Sequence, residues 1–320
     1  MKASQKLQIV LPIFIFASLL LAQESVPEFG RLQPLTPAGE HFQQPVWAPD
    51  GSMVAVAGKN YNGIWIMRPD GSGLRQVCRD AGAGFRFSWS NDSRRLLART
   101  FRFEKRRRVH VIKTYDVETG VARTVAEFRR ALFGLPRWSP DGSRVCVQTR
   151  SGVELLDSGN APEASTEPDP RTIFYNTGVD LRFLDASGEK IMAVKPVPGT
   201  YLNAALSPDR RKIAFELLGG NLYIVNTDGA GVTDLGPGER PSWHPGSGWL
   251  AYMITEDDGH QIRNSDIYII KSDGTGKQNI TSTATRVEMN PWWSPDGQSI
   301  VFDEKHAGRI YKITLTEIFK

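Results

Sequence analysis

The pentapeptide WSPDG at residues 138–142 recurs as WAPDG at 47–51 and as WSPDG at 293–297. Weaker copies are WSNDS at 89–93, LSPDR at 206–210 and WHPGS at 243–247. The central residues Trp47, Trp89, Trp138, Leu206, Trp243 and Trp293 are spaced by 42, 49, 68, 37 and 50. A period of about 40–50 residues is what one four-stranded propeller blade requires. The turn chemistry fits: Pro presets φ, Asp bonds nearby backbone, and Gly tolerates positive φ.

Each unit continues alike. An alternating apolar strand follows the turn: MVAVAG (53–58), RLLART (95–100), RVCVQT (144–149), KIAFEL (212–217), WLAYMI (249–254) and SIVFDE (299–304). A third strand comes next, as in GIWIMRPDG (63–71), DLRFLDASG (180–188), NLYIVNTDG (221–229) and DIYIIKSDG (266–274). It ends in a hairpin turn such as DGSG (70–73), DGAG (228–231) or DGTG (273–276), and a fourth strand closes the unit. The last unit lacks a fourth strand, and RLQPLT (31–36) has the right pattern to supply it. Pairing there would close the ring and cover its edges. The expectation is an all-β, six-bladed β-propeller over 31–320. The segment SGNAPEASTEPDP (158–170), inside the 68-residue gap, reads as an insertion in the third blade; seven blades is the alternative that this gap leaves open.

These repeats resemble the WD40-like, or PD40, repeats of the TolB family of β-propellers, over roughly residues 31–315. The resemblance rests on WSPDG, the apolar strand after it and LYIVNTDGAG (222–231). It implies a non-catalytic protein-binding module of the bacterial cell envelope. In that family the propeller mouth docks the peptidoglycan-associated lipoprotein Pal, within the Tol–Pal system. The family carries a further domain before its propeller. Only residues 23–30 separate the expected signal segment from RLQPLT here, so that domain is expected to be absent.

The N-terminus reads as a signal peptide over 1–22, with 23–30 a linker. Lys2 and Lys6 precede the apolar run IVLPIFIFASLLLA (9–22), too short for a comfortable membrane span. Leu20 sits where cleavage sites prefer a small residue, so a retained anchor is the alternative, and only then would the chain meet a membrane. The protein is expected to be periplasmic or secreted, and a monomer. The net charge of +4 falls to +2 without the two signal lysines, which gives a nucleic-acid partner little support. Cys78 and Cys146 lie in different repeats and read as two separate buried thiols.

Function should sit where the repeats differ. Strand direction alternates within a blade, so all Pro-Asp-Gly and Asp-Gly turns share one face of the ring. The long connections lie on the other face: 101–108, about 150–179, and 255–265. Three residues before each central position stand Gln44, Arg86, Leu135, Asn203, Arg240 and Asn290. Their place is the channel mouth on the ornamented face. The candidate binding residues are therefore Gln44, Arg86, Asn203, Arg240 and Asn290, the basic run Arg106, Arg107 and Arg108, and the acidic Asp257 and Asp258.

No catalytic residue and no cofactor is expected. There is no Gly-x-Ser-x-Gly elbow, and the Gly-rich turns precede strands, not helices. The five histidines have no metal-ligand spacing. The alternative reading is a metal-dependent polysaccharide lyase of propeller fold, or another envelope carbohydrate-binding protein. It would need His110, His260 and His306 to gather at the mouth. His244, in the place of a turn serine, reads as part of its turn.

Overall fold

The computed structural model describes residues 32–315, apart from 129–131, 133, 150–151, 161–172, 186 and 284–285. The expected signal segment and most of the expected insertion thus lie outside the described residues. Among those described, the strands form seven antiparallel sheets. Blade 1 is Phe42–Trp47, Val54–Gly58, Ile64–Met67 and Arg75–Cys78. Blade 2 is Ser88–Trp89, Arg95–Glu104, Arg107–Asp116 and Ala122–Phe128. Blade 3 is Arg137–Trp138, Arg144–Thr149 and Gly152–Asp157, and blade 4 is Ile173–Asn176, Leu181–Leu184 and Lys190–Val194. Blade 5 is Tyr201–Leu206, Lys212–Leu217, Leu222–Asn226 and Thr233–Asp234. Blade 6 is Glu239–Trp243, Trp249–Asp257, Ile262–Lys271 and Gln278–Asn279. Blade 7 joins Glu288–Trp293, Ser299–Glu304 and Arg309–Thr314 to Gln33–Pro34.

The ring has seven blades, which corrects the expected six. Residues 150–179 are not one insertion: 152–157 is the third strand of blade 3, and 173–176 belongs to blade 4. Leu181–Leu184, expected as the third strand of blade 3, pairs instead with 173–176 and 190–194. Core packing shows why blade 4 is a blade. Its strands alternate, Ile173, Tyr175 and Leu184 packing on Cys146 of blade 3, and Phe174, Leu181 and Phe183 packing on Tyr201 and Phe215 of blade 5. Repeat counting missed it because the sequence holds no Trp between 138 and 243 to mark an inner strand. What it does carry is the third-to-fourth-strand turn, where Asp185 Oδ1 accepts the N–H of Ser187 at 2.8 Å, as Asp70 Oδ1 does from Ser72 at 2.8 Å.

The same alternation builds every joint. In blade 1, Val54 and Val56 face blade 7 while Ala55 and Ala57 face blade 2. In blade 5, Ile213 and Phe215 face blade 4 and Ala214 faces blade 6. In blade 6, Leu250 and Tyr252 face blade 5 and Ala251 and Met253 face blade 7. A strand buried on both faces must be apolar at consecutive positions, and that is why these strands read as near-continuous apolar runs. Gln33–Pro34 pairs with Tyr311 and Lys312, and the latch extends through Leu35 N to Ile310 O at 2.8 Å. The Arg309 guanidinium adds two bonds to Thr36 O, at 3.0 and 2.7 Å. Cys78 and Cys146 are separate buried thiols, which burial pushes up to about 11 and about 12.

The repeated tryptophan is a joint between blades. Trp89 Nε1 donates to Val46 O at 3.1 Å, Trp138 Nε1 to Ser88 O at 3.5 Å, and Trp243 Nε1 to Ala205 O at 2.9 Å. Each bond reaches back to the inner strand of the preceding blade. The Ser-Pro-Asp-Gly turn closes on itself: Ser139 Oγ donates to Asp141 Oδ1 at 2.5 Å and accepts the N–H of Arg144 at 2.9 Å. In WHPGS, where Gly246 replaces the Asp, His244 Nδ1 takes the turn N–H of Gly246 at 2.9 Å, and its ring stands edge-on to Trp293. Replacing Trp89 or Trp243 by Phe keeps the ring and removes the bond. Each should lose about 1–2 kcal/mol in urea unfolding, the net worth of a buried hydrogen bond plus a stranded acceptor. Trp138→Phe should lose less, because its bond is the longest.

Candidate channel-mouth site

In four blades the inner strand advances one residue more than its partner. Gln43 faces Ala57 while Val46 faces Ala55, and the same slip separates Leu202 from Ala205, Glu239 from Ser242 and Met289 from Trp292. Each slip is a β-bulge, and its left-handed residue would ordinarily be glycine. Here those residues are Gln44 (φ 51°), Asn203 (φ 48°), Arg240 (φ 57°) and Asn290 (φ 54°), and Arg86 (φ 57°) holds the matching place in blade 2. Non-glycine residues in that region cost about 1–3 kcal/mol each and concentrate at ligand clamps. Leu135, the blade 3 counterpart, is not among the left-handed residues.

The five left-handed residues converge. With Pro45, Val46, Phe87, Pro241, Pro291 and Trp292 they line one opening, a hollow of about 50 Å³ that is open to solvent. Five of the candidate residues named from sequence are thus brought together.

The left-handed turns also aim backbone N–H groups across the blade joints. Asp303 Oδ1 accepts the N–H of Gln44 at 3.0 Å and Asn290 Nδ2 at 2.9 Å, tying blade 7 to blade 1. Glu216 ties blade 5 to blade 6: it accepts Asn203 Nδ2 on both oxygens, at 2.8 and 2.7 Å, and the backbone N–H of Arg240. Gln44 Oε1 accepts the N–H of Arg86 at 3.1 Å, tying blade 1 to blade 2, and Arg240 Nη1 donates to Asn203 Oδ1 at 3.2 Å.

Burial dominates the electrostatics. Asp303 is 3% exposed, and burial pushes its carboxyl up to about 7, against the pull of Asn290, Gln44 and the Arg240 charge. Burial likewise raises Glu216. Desolvation lowers the Arg86 guanidinium to about 9, and the nearby positive charge of Arg240 adds to that. Desolvation also lowers Arg137. Sequence reading missed Glu216 and Asp303, though each is a carboxylate inside an otherwise apolar strand, a signal of a buried polar role.

The other candidates lie elsewhere. Lys105 and Arg106 are both left-handed (φ 46° and 65°) and form the tip of the long hairpin 95–116. Arg108 lies over the rings of Phe101 at 4.5 Å and Phe103 at 5.7 Å, while Arg106 and Arg107 are exposed. None of the three lines the mouth. Asp257 and Asp258 cap the turn of the 249–271 hairpin: Asp257 Oδ1 accepts Gly259 N at 2.8 Å, and Asp258 accepts His260 N and Gln261 N and pairs with Arg263 at 2.5 Å. Among the described residues no three His, Cys, Asp or Glu side chains gather to hold a metal, so His110, His260 and His306 do not form the cluster that a lyase would need.

No family model matches the chain, and no curated protein matches its sequence. Solved structures match in fold. The β-propeller domain of Cps50 (Swd1) from Myceliophteria thermophila superposes with a TM-score of 0.64 at 12% identity, covering 91% of this chain and 100% of that one. A chain of the mitotic checkpoint complex matches at 0.62 and 16%, covering 98% and 99%. At such identities the likeness shows the fold alone: a WD40-like β-propeller.

The buried acids predict a pH dependence. Asp303, at about 7 in the fold and 3.8 as its ordinary value, holds a proton that the unfolded chain has released between those limits. Its contribution to stability therefore falls as pH rises from about 4 to about 7 and is flat above. Glu288, also raised to about 7 by burial, acts in the same direction. Turn carboxylates such as Asp70 and Asp273, held low by their turn donors, act oppositely below about pH 4. The readout is thus the difference between wild type and Asp303→Asn, which keeps an oxygen for the Gln44 N–H. Urea midpoints should show the variant losing less stability between pH 4 and pH 7; parallel curves would refute the assignment.

Proposed function

We propose that the protein is an exported, non-catalytic binding module, a TolB-like propeller of the bacterial envelope, that docks a protein on the face carrying the channel mouth. The observation that carries this reading is what that face exposes. Phe103 (63% exposed), Val179 (59%) and Leu218 (67%) all stand on connections of the ornamented face. The last two meet around one point: Tyr201 N donates to Gly178 O at 2.7 Å and Leu218 N to Thr200 O at 2.9 Å. Exposed apolar side chains, one of them, Phe103, beside an arginine, suit a protein-docking surface. Arg108 stacked on two phenylalanines supplies the rigid aromatic–arginine element that such surfaces favour.

Export is inferred from Lys2 and Lys6 before the apolar run 9–22. The TolB-like assignment rests on the WSPDG-type repeats, and it makes a Pal-like lipoprotein the first partner to try. The test is a pull-down from envelope extract with wild type and with Arg106, Arg107 and Arg108 all changed to Glu. Wild type should retain a protein that the charge-reversed variant retains at least about tenfold less. Equal retention by both, or no enrichment over an unrelated propeller, would overturn the reading.

A further inference from the structure

Arg86 and Arg240 stand on one opening, and among the described residues neither makes a direct ion pair, though Glu216 lies close enough to act on both. Among the described residues, the Arg86 guanidinium meets no hydrogen-bond acceptor, and Arg240 gives one N–H, to Asn203. The two acids behind the mouth are already engaged. Glu216 and Asp303 each receive two nitrogen donors, Asn203 Nδ2 and Arg240 N at the first, Asn290 Nδ2 and Gln44 N at the second. Arg137 of blade 3 adds a third positive charge close enough to act on Arg86. The mouth therefore carries guanidinium donors in excess of acceptors, inside low-dielectric walls that concentrate their field.

The backbone points the same way. A glycine at 86 or 240 would adopt the left-handed conformation without strain. An arginine there accepts that strain and projects a guanidinium into the channel in return. The remaining wall is apolar: Pro45, Pro241, Pro291 and Trp292, the last 41% exposed.

We propose that the channel mouth is a binding site for an organic carboxylate, its oxygens received by Arg86 and Arg240 and its apolar body laid against Trp292. The guanidinium fork matches a planar carboxylate in two parallel bonds. The side-chain amides of Asn203 and Asn290, already committed to Glu216 and Asp303, hold the ring rigid. This site stands on the channel geometry and does not depend on the docking of a protein to the face.

The test is calorimetric titration of the full chain with isophthalate, with inorganic phosphate and with an acetylated hexaglutamate peptide. Arg86→Asn and Arg240→Asn are the variants, because Asn already occupies this left-handed position in blades 5 and 7. Unchanged unfolding midpoints would show that they fold. Isophthalate should bind, and each variant should weaken it at least about tenfold, as loss of a charge-assisted pair does. Hexaglutamate binding with the same arginine dependence would support the site and assign the carboxylate to a polypeptide. Isophthalate binding alone would support it and assign a small molecule. Phosphate binding as tightly as isophthalate would overturn the carboxylate assignment. Absence of binding, or binding unaffected in the double variant, would overturn the site. The hairpin variants of the pull-down leave Arg86 and Arg240 in place, so the two readings fail separately.

Discussion

The constraint on which the rest depends is the two-sided burial of the second strand in each blade. Val54, Ala55, Val56 and Ala57 are all fully buried, though they point alternately to opposite faces. No single sheet can bury both faces, so no blade can satisfy its own sequence. Only a closed ring can, and closure leaves one pair of ends to join. The chain joins them with the short strand at 33–34 and the Leu35 and Thr36 bonds to the final strand. The tryptophan bonds, with the Ser93 and Ser247 hydroxyls that accept the N–H groups of Asp50 and Asp209 in the preceding blade, then add fixed points between blades.

Closure also makes the channel. Gln44 and Asp303 are far apart in sequence and meet only because blade 7 is adjacent to blade 1. The buried carboxylates serve this junction. A carboxylate kept from water is costly unless several donors surround it, and left-handed backbone is costly unless something holds it. At the mouth each supplies what the other needs: the bulge turns an N–H toward the acid, and the acid holds the bulge. The strain is therefore a property of the assembled ring rather than of any one strand.

Much of the scaffold was legible because turns and apolar alternation are local. The seventh blade was not legible from Trp spacing, since the sequence from 143 to 242 holds neither a Trp nor a Pro-Asp-Gly triplet. Its DASG turn at 185–188 was readable, but was assigned to the third strand of the preceding blade. What decides the matter is which side chains meet: Tyr175 against Cys146, Phe183 against Phe215. Those are contacts between sheets, and no local pattern encodes them. Gln44, Arg86, Asn203, Arg240 and Asn290 were legible as a register, because counting back three from each central residue lands on one level of a ring. Asp257 and Asp258 stand away from that level, at a hairpin tip. Asp next to Gly at a hairpin tip is turn chemistry first, and the N–H groups of Gly259, His260 and Gln261 take up their oxygens.

The mouth and the turns show how one scaffold separates structure from binding. At the turn face the polar side chains close within the turn, as in Ser139 with Asp141 and Arg144, or on the turn of the adjacent blade, as where Ser93 Oγ accepts the N–H of Asp50 at 3.1 Å. Even the exception, His244, is absorbed into its turn. At the mouth the acids are satisfied by neighbouring blades, while the Arg86 guanidinium finds no acceptor among the described residues and that of Arg240 finds only Asn203 Oδ1. At the turn face every bond ends on another group of the scaffold, while Arg86 turns a guanidinium toward the opening. It is at that level of the ring, rather than at the repeated pentapeptide, that the proposed carboxylate site would lie.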